Sequence, residues 1–174
     1  MKKILLFYFI LIGIKTYSQE QYPVPETTST RLFYIQHSNN HNTYVYDANL
    51  KNGKIDPDKP IEEYRIVYTK GGEKKPLTEL QKHLAYGLIV TPISSNLYEL
   101  HLAASKKLKF YLNLNSQQKP VLYTTVNDRK MYIDRMFIDL KDGSKGLNTK
   151  VEDVLFEGRD YQTGKKVTEK VLLN

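Results

Sequence analysis

The run His37-Ser38-Asn39-Asn40-His41-Asn42 puts two imidazoles, three side-chain amides and a hydroxyl within six residues. Such a set offers donors and acceptors to a sugar hydroxyl or a carboxylate. His37 and His41 are also the pair to consider for a metal. Their spacing would place them on one face of a helix, yet asparagine at this density reads as a turn, where it tolerates φ > 0 and hydrogen-bonds its own backbone. No acidic third ligand lies nearer than Asp47, so no metal centre is expected. The plain alternative is a hairpin connection. The following segment, from Asp47 to Asp56, has the alternating oxygen side chains of a calcium loop but not its frame. An EF-hand loop needs an oxygen ligand at position 5, glycine at 6 and glutamate at 12. Counted from Asp47, those positions hold Lys51, Asn52 and Asp58. The Asn52-Gly53 pair instead predicts a tight turn between two strands.

Catalytic combinations are few. Ser94 and Ser95 lie in a Pro-Ile-Ser-Ser-Asn turn without the flanking glycines of a nucleophile elbow. Glu99 and His101 alternate onto one strand face, where an acid–base pair is geometrically allowed but surface residues are routine. His83 follows Glu79 by four residues, which a solvated helix pair explains. Cysteine is absent, which removes thiol nucleophiles, thiolate metal sites and disulfides. No catalytic residue and no cofactor is therefore expected.

The 14 tyrosines are the other chemically distinctive set. Tyr44 and Tyr46 alternate onto one strand face, as do Tyr64 and Tyr68. Rings pointing into a curved sheet would wall a pocket and orient a ligand through their hydroxyls, although tyrosine is also simply a good strand residue. The candidate ligand-binding residues are thus His37, Asn39, Asn40, His41, Asn42, Tyr44, Tyr46 and Tyr64.

What must position them is mostly sheet. From Arg31 onward the apolar period is two. Strands are expected at residues 32–36, 43–48, 62–69, 88–93, 97–102, 109–114, 121–126, 131–140, 151–156 and 165–172. Turn pairs at Asn52-Gly53, Gly71-Gly72, Asp142-Gly143 and Thr163-Gly164 punctuate them. The short connections favour antiparallel pairing. One segment, PLTELQKHLAYG, reads as a helix, with Pro76 in the first turn, Gly87 as a left-handed cap, and Leu77, Leu80 and Leu84 on its buried face. The expected fold is mainly β: an antiparallel barrel or sandwich of about ten short strands with one short α-helix. A partly closed barrel or strongly curved sheet is favoured.

The first eighteen residues, MKKILLFYFILIGIKTYS, have two lysines at their start, an apolar run and a small residue before a cut, the layout of a secretory signal peptide. The run is shorter than the roughly twenty residues a spanning helix needs, and no later segment is apolar enough to cross a bilayer. The domain reading is a signal peptide over 1–18, a flexible polar leader over 19–30 and one β-rich domain over 31–174. Cleavage would remove three of the lysines behind the formal charge of +7. What is left carries no dense basic stripe, so a nucleic-acid partner is not expected. Glutamine at the new N-terminus cannot accept a lipoprotein anchor. An exported, soluble periplasmic or extracellular protein is expected.

From residue 33 onward the chain resembles a known family. The features are Ser38-Asn39-Asn40, Asn42-Thr43 and Val45-Tyr46, then Gly53, Asp56, Lys59-Pro60-Ile61 and Tyr64, and further on Leu77-Thr78 and Leu84-Ala85-Tyr86-Gly87. On these the sequence is similar to the uncharacterised bacterial family catalogued as domain of unknown function 4833, over residues 31–173. His37 departs from it, since an arginine is expected there, and His41 sits where members vary. The resemblance implies export and a single β-rich domain, and supplies no catalytic residue. The functional expectation is a non-catalytic exported protein that binds a small or extended ligand in the cell envelope. The alternatives are a protein–protein interaction module and, third, a hydrolase using dispersed residues such as His37, Glu99 and His101.

Overall fold

The computed structural model describes residues 22–144 and 148–173. The expected export signal, residues 1–18, lies outside them. Among the described residues thirteen strands run in chain order: β1 (Arg31–His37), β2 (Asn40–Ala48), β3 (Leu50–Lys51), β4 (Lys54–Ile55), β5 (Ile61–Val67), β6 (Glu73–Pro76), β7 (Leu88–Ser94), β8 (Leu97–Leu102), β9 (Ser105–Leu114), β10 (Pro120–Val126), β11 (Arg129–Leu140), β12 (Val151–Asp160) and β13 (Lys166–Leu172). A short helix, α1 (Glu79–Gln81), stands between β6 and β7. Every segment expected from the period of two holds a strand, but the one expected at 62–69 ends at Val67, and Tyr68–Lys70 form a 3-10 turn. The count exceeds ten because β3, β4 and β6 are two- and four-residue ladders, too short to show a period, and because Lys74 and Lys75 of β6 read as loop charges.

Eleven strands form one curled sheet, a half-barrel ordered β6-β5-β2-β1-β11-β10-β9-β8-β7, with β12 and β13 joined beyond β11. It is neither a closed barrel nor a two-sheet sandwich. All pairs in it are antiparallel except β1 with β11. The long strand β11 makes this arrangement possible. One of its edges pairs with β10 at Arg129–Tyr132 and then with β1 at Arg135–Ile138, while the other carries β12 throughout. The changeover coincides with a bulge at Asp134, which kinks the strand and increases its twist. Opposite it stands Gly158, where a Cβ would lie 1.9 Å from the Tyr132 carbonyl oxygen. Only glycine fits so close an approach.

The concave face carries the core. Phe33 stacks on Tyr46 at 4.4 Å and on Phe110 at 5.6 Å, and Ile35, Leu100, Leu112, Met131 and Ile133 are fully buried around them. The helical segment closes one end. Thr78 caps α1 by accepting from the Gln81 N–H, and the Gln81 side chain returns the bond to the Thr78 N–H, a capping box. Residues Lys82–Tyr86 then continue as a π turn.

That turn overturns part of the expected helix. Leu77 is buried, but Leu80 on α1 is 61% exposed and Leu84, within the wider turn, is 54% exposed. Tyr86 enters the core instead, stacked on Tyr44 at 3.6 Å with its backbone carbonyl accepting from the Tyr46 hydroxyl. Gly87 is extended rather than left-handed, at φ −64°. Glycine is needed because a Cβ would sit 2.4 Å from the Lys82 carbonyl oxygen.

On the convex face the start of the described chain docks against the sheet. The Tyr22 hydroxyl donates to the Ser38 carbonyl, and the Pro23 carbonyl accepts from Gln36 Nε2. Gln36, itself 1% exposed, is held by Thr43 and by Arg135, which also pairs with Glu157 at 3.0 Å. A buried amide with all these partners meets its desolvation requirement.

Candidate functional site

The structure distributes the eight candidate residues over three places. His37, Tyr44 and Tyr46 face the concave core. His37 is 6% exposed, and its Nε2 lies 2.9 Å from the Tyr86 hydroxyl. Removal from water disfavours the imidazolium and lowers the His37 pKa to about 4. Tyr44 and Tyr46 are 5% and 0% exposed, so their rings fill the half-barrel rather than line an opening in it.

Asn39, Asn40 and His41 sit at the hairpin between β1 and β2. Asn40 donates to the Asn39 side chain and accepts from the Asn42 N–H, the local amide bonding that favours asparagine in turns. His41 turns to the convex side, its ring 5.1 Å from that of Tyr22. The two histidines thus lie on opposite faces of the sheet and share no coordination sphere. Asn42 Oδ1 is buried without a hydrogen-bond partner.

Tyr64 stands on the convex face of β5. Its hydroxyl donates to Asp47 Oδ2 at 2.9 Å and accepts from Arg31 Nη2 at 3.0 Å, and Arg31 pairs with Asp47 Oδ1. Burial, and then the bond to Asp47, raise the Tyr64 pKa to about 12. This triad ties β1, β2 and β5 together. It also puts Tyr64 on the other side of the sheet from Tyr44 and Tyr46, because the register sets Tyr64 opposite Val45 and not opposite either tyrosine. Glu99 and His101 lie on the convex face as well, with Glu99 held by Lys109 at 3.0 Å. They do not meet His37.

A wider opening lies elsewhere. Where the half-barrel fails to close, a cleft of about 770 Å³ separates β5 and β6 from β7 and is lined by Ile61, Glu63, Tyr64, Pro76, Leu88 and Val90 among others. Hydrogen-bond parity shows what faces it. The Pro60 carbonyl accepts from the Asn49 N–H, and the Ala48 N–H turns away to Thr30. Alternation then directs the N–H and C=O groups of Ile61 and Glu63 away from β2 and into the cleft. β6 pairs only with Tyr64–Val67, so these groups have no strand beside them. On the other lip, the Gly87 carbonyl accepts from Ala103 on the β8 side, which directs the backbone groups of Leu88 and Val90 toward the cleft. The Leu88 N–H confirms this direction by donating to Glu63 Oε1 across the gap at 2.7 Å. Burial raises the Glu63 pKa, partly offset by that bond.

Sequence reasoning passed over this seam. The available signal was Pro92. A proline inside a strand marks an edge, because it has no N–H to donate. The pairing of β5 with β6, which leaves half of β5 bare, had no signal at all.

A match to the domain of unknown function DUF4833 spans residues 33–170. No curated protein and no solved structure matches the chain. The resemblance carried by Ser38-Asn39-Asn40, Lys59-Pro60-Ile61 and Leu84-Ala85-Tyr86-Gly87 thus extends across nearly the whole half-barrel, and the chain belongs to the DUF4833 family.

Proposed function

We propose that this protein is an exported, non-catalytic binding domain of the cell envelope that takes an extended polypeptide into its seam by strand addition. The observation that carries this reading is the pair of bare strand edges facing one cleft. Ile61 and Glu63 offer backbone donors and acceptors on one lip, and Val90 offers them on the other. An incoming extended chain satisfies such groups with its own backbone, while pockets on either side select alternate side chains. A concave interior filled by Phe33, Tyr46 and Phe110 argues against a small molecule held beneath the tyrosines.

Edge strands are ordinarily defended. β6 is, by Lys74, Lys75 and Pro76, the charges and proline that discourage edge-to-edge pairing. The first half of β5 and the Val90 position of β7 have no such guard, apart from the single Glu63–Leu88 clasp. On this reading a binding domain and an interaction module are the same thing, since the ligand is a stretch of another polypeptide.

The test is selection of peptides from a displayed random library on the mature protein, followed by competition with the Val90→Pro variant. Val90→Pro deletes one cleft-facing donor and leaves the β8 pairing of Ile89 and Thr91 in place. Selected peptides should bind the native protein and lose at least tenfold in affinity for the variant, at unchanged melting temperature. Peptides that bind both equally, or a library that yields none, would remove the strand-addition reading.

A further inference from the structure

The seam has an inner wall as well as two backbone edges. Glu63 stands opposite Tyr46 and Ile61 opposite Ala48, so both side chains turn to the concave side. Leu88 and Val90 do the same on the other lip, opposite the buried Leu102 and Leu100. Ile61 is buried, and Leu88 and Val90 pack on the core with one side open. Among these four inward side chains only Glu63 is polar. From the Glu63–Leu88 clasp β7 runs toward β4, where Asn96 at its far turn accepts from the Ile55 N–H. Val90 therefore lies on the Ile61 side of Glu63.

The clasp itself shows what a bound strand must replace. Glu63 Oε1 takes the Leu88 N–H at 2.7 Å, the part a carbonyl of an added strand would play. When a strand enters, its own carbonyl takes that N–H. Glu63 then loses its bond while the new chain covers it. A carboxylate buried without a partner is costly, and a cation with a hydrogen-bond donor removes that cost.

The cleft's own cations are mostly committed elsewhere. Lys75 is held by Glu73 at 3.2 Å and Lys82 by Glu79 at 2.9 Å, and Lys74 lies over the Tyr64 ring on the convex side. Lys82 and Lys59 act on Glu63 from beyond ion-pair distance. Arg65, the next inward residue of β5, stands opposite Lys75 in the β5–β6 ladder and forms no ion pair with Glu63. Asp58 and Glu62 also line the cleft and have no ion pair among the described residues.

We infer that Glu63 sets the specificity of the seam: the segment admitted carries a lysine or arginine at the inward position beside Glu63, and an apolar residue at the next inward position, between Ile61 and Val90. This rests on the strand-addition reading. Inward positions of a strand are two residues apart, so the pattern is one basic and one apolar residue with one residue between them. The stem of the basic side chain lies along Leu88 while its head meets the carboxylate.

The experiment selects peptides from a displayed random library on the native mature protein and, separately, on Glu63→Gln. The substitution keeps an oxygen for the Leu88 N–H, so the melting temperature should be unchanged. Peptides selected on the native protein should share the basic–apolar pattern, and those selected on Glu63→Gln should lack it. Replacing the basic residue of a selected peptide by methionine should weaken binding to the native protein about tenfold, and binding to Glu63→Gln hardly at all. Peptides that lose affinity for Val90→Pro yet share no basic residue overturn the inference and leave strand addition standing. So do methionine peptides that bind the native protein undiminished. A basic preference that persists on Glu63→Gln assigns it to Asp58 or Glu62 and overturns the inference as well. Peptides indifferent to Val90→Pro remove the seam reading and this inference together. If Glu63→Gln does not fold, the methionine peptides decide on the native protein alone.

Discussion

Tyr44, Tyr46 and Tyr86 on the concave side and Tyr111, Tyr123, Tyr132 and Tyr161 on the convex side are one residue type put to opposite uses. Inside, each ring is enclosed and the polar ends are matched within the fold: the Tyr46 hydroxyl to the Tyr86 carbonyl, the Tyr86 hydroxyl to His37. Outside, the rings touch one another and a lysine but keep one side toward solvent. Propensity cannot separate the two sets, because tyrosine favours a strand whichever way it points. Strand parity and what covers each face decide it. The inner rings therefore bear on stability, whereas the outer ones, stacked on one another at the surface, bear on it little.

The largest contrast should come from truncation. Tyr46→Ala removes a fully buried ring stacked on Phe33 and should destabilise the protein by about 4 kcal/mol, measured by chemical denaturation. Tyr123→Ala, in the outer ladder, should cost less than about 1 kcal/mol. Similar losses at the two positions would erase the distinction between the faces.

Acidity should also act on the inner cluster. His37 is buried neutral with a pKa near 4, below its ordinary value of 6.5. The unfolded chain thus binds the proton first as pH falls, and stability is present in full above pH 6.5 and lost progressively down to about pH 4. The loss is on the order of 3 kcal/mol for a shift of this size. His37→Gln should flatten that part of the stability–pH profile. An unchanged profile in the variant would place the titration elsewhere.

The smallest effect is at the end of the half-barrel. Thr78→Ala deletes the capping box at the start of α1 and should cost about 1 kcal/mol, lowering the melting temperature by a few degrees. If Tyr86 is seated by its own core contacts, the His37–Tyr86 contact should survive this change, which NMR of the His37 ring would show.

The strands were legible because alternation in stretches such as 97–102 and 121–126 is a direct imprint of one buried face. The Asn52-Gly53 turn was equally plain, both residues having positive φ. Curvature was not legible, since it depends on β11 exchanging partners at the Asp134 bulge, a long-range pairing that no local pattern encodes. The Asn127-Asp128 hairpin turn, with φ of 48° and 63°, lacks the glycine that would have announced it. Leu84 misled because an α-helical period was assumed where the chain makes a π turn, and Leu80 because α1 is a single turn with no partner for that face. Among the candidate site residues, His37 looked like a loop ligand because its neighbours are turn formers. It is the last inward position of β1, and strand parity alone would have placed it with Phe33 and Ile35.

The most direct measurement on the seam is amide hydrogen exchange at Ile61, Glu63 and Val90, with and without a selected peptide. In the free protein these N–H groups should exchange much faster than those of Glu62 and Thr91, which point toward neighbouring strands. Peptide should slow Ile61, Glu63 or Val90 by at least an order of magnitude and leave the β12–β13 hairpin unchanged. If the seam amides are already protected in the free protein, or stay fast with peptide bound, strand addition at the seam is contradicted.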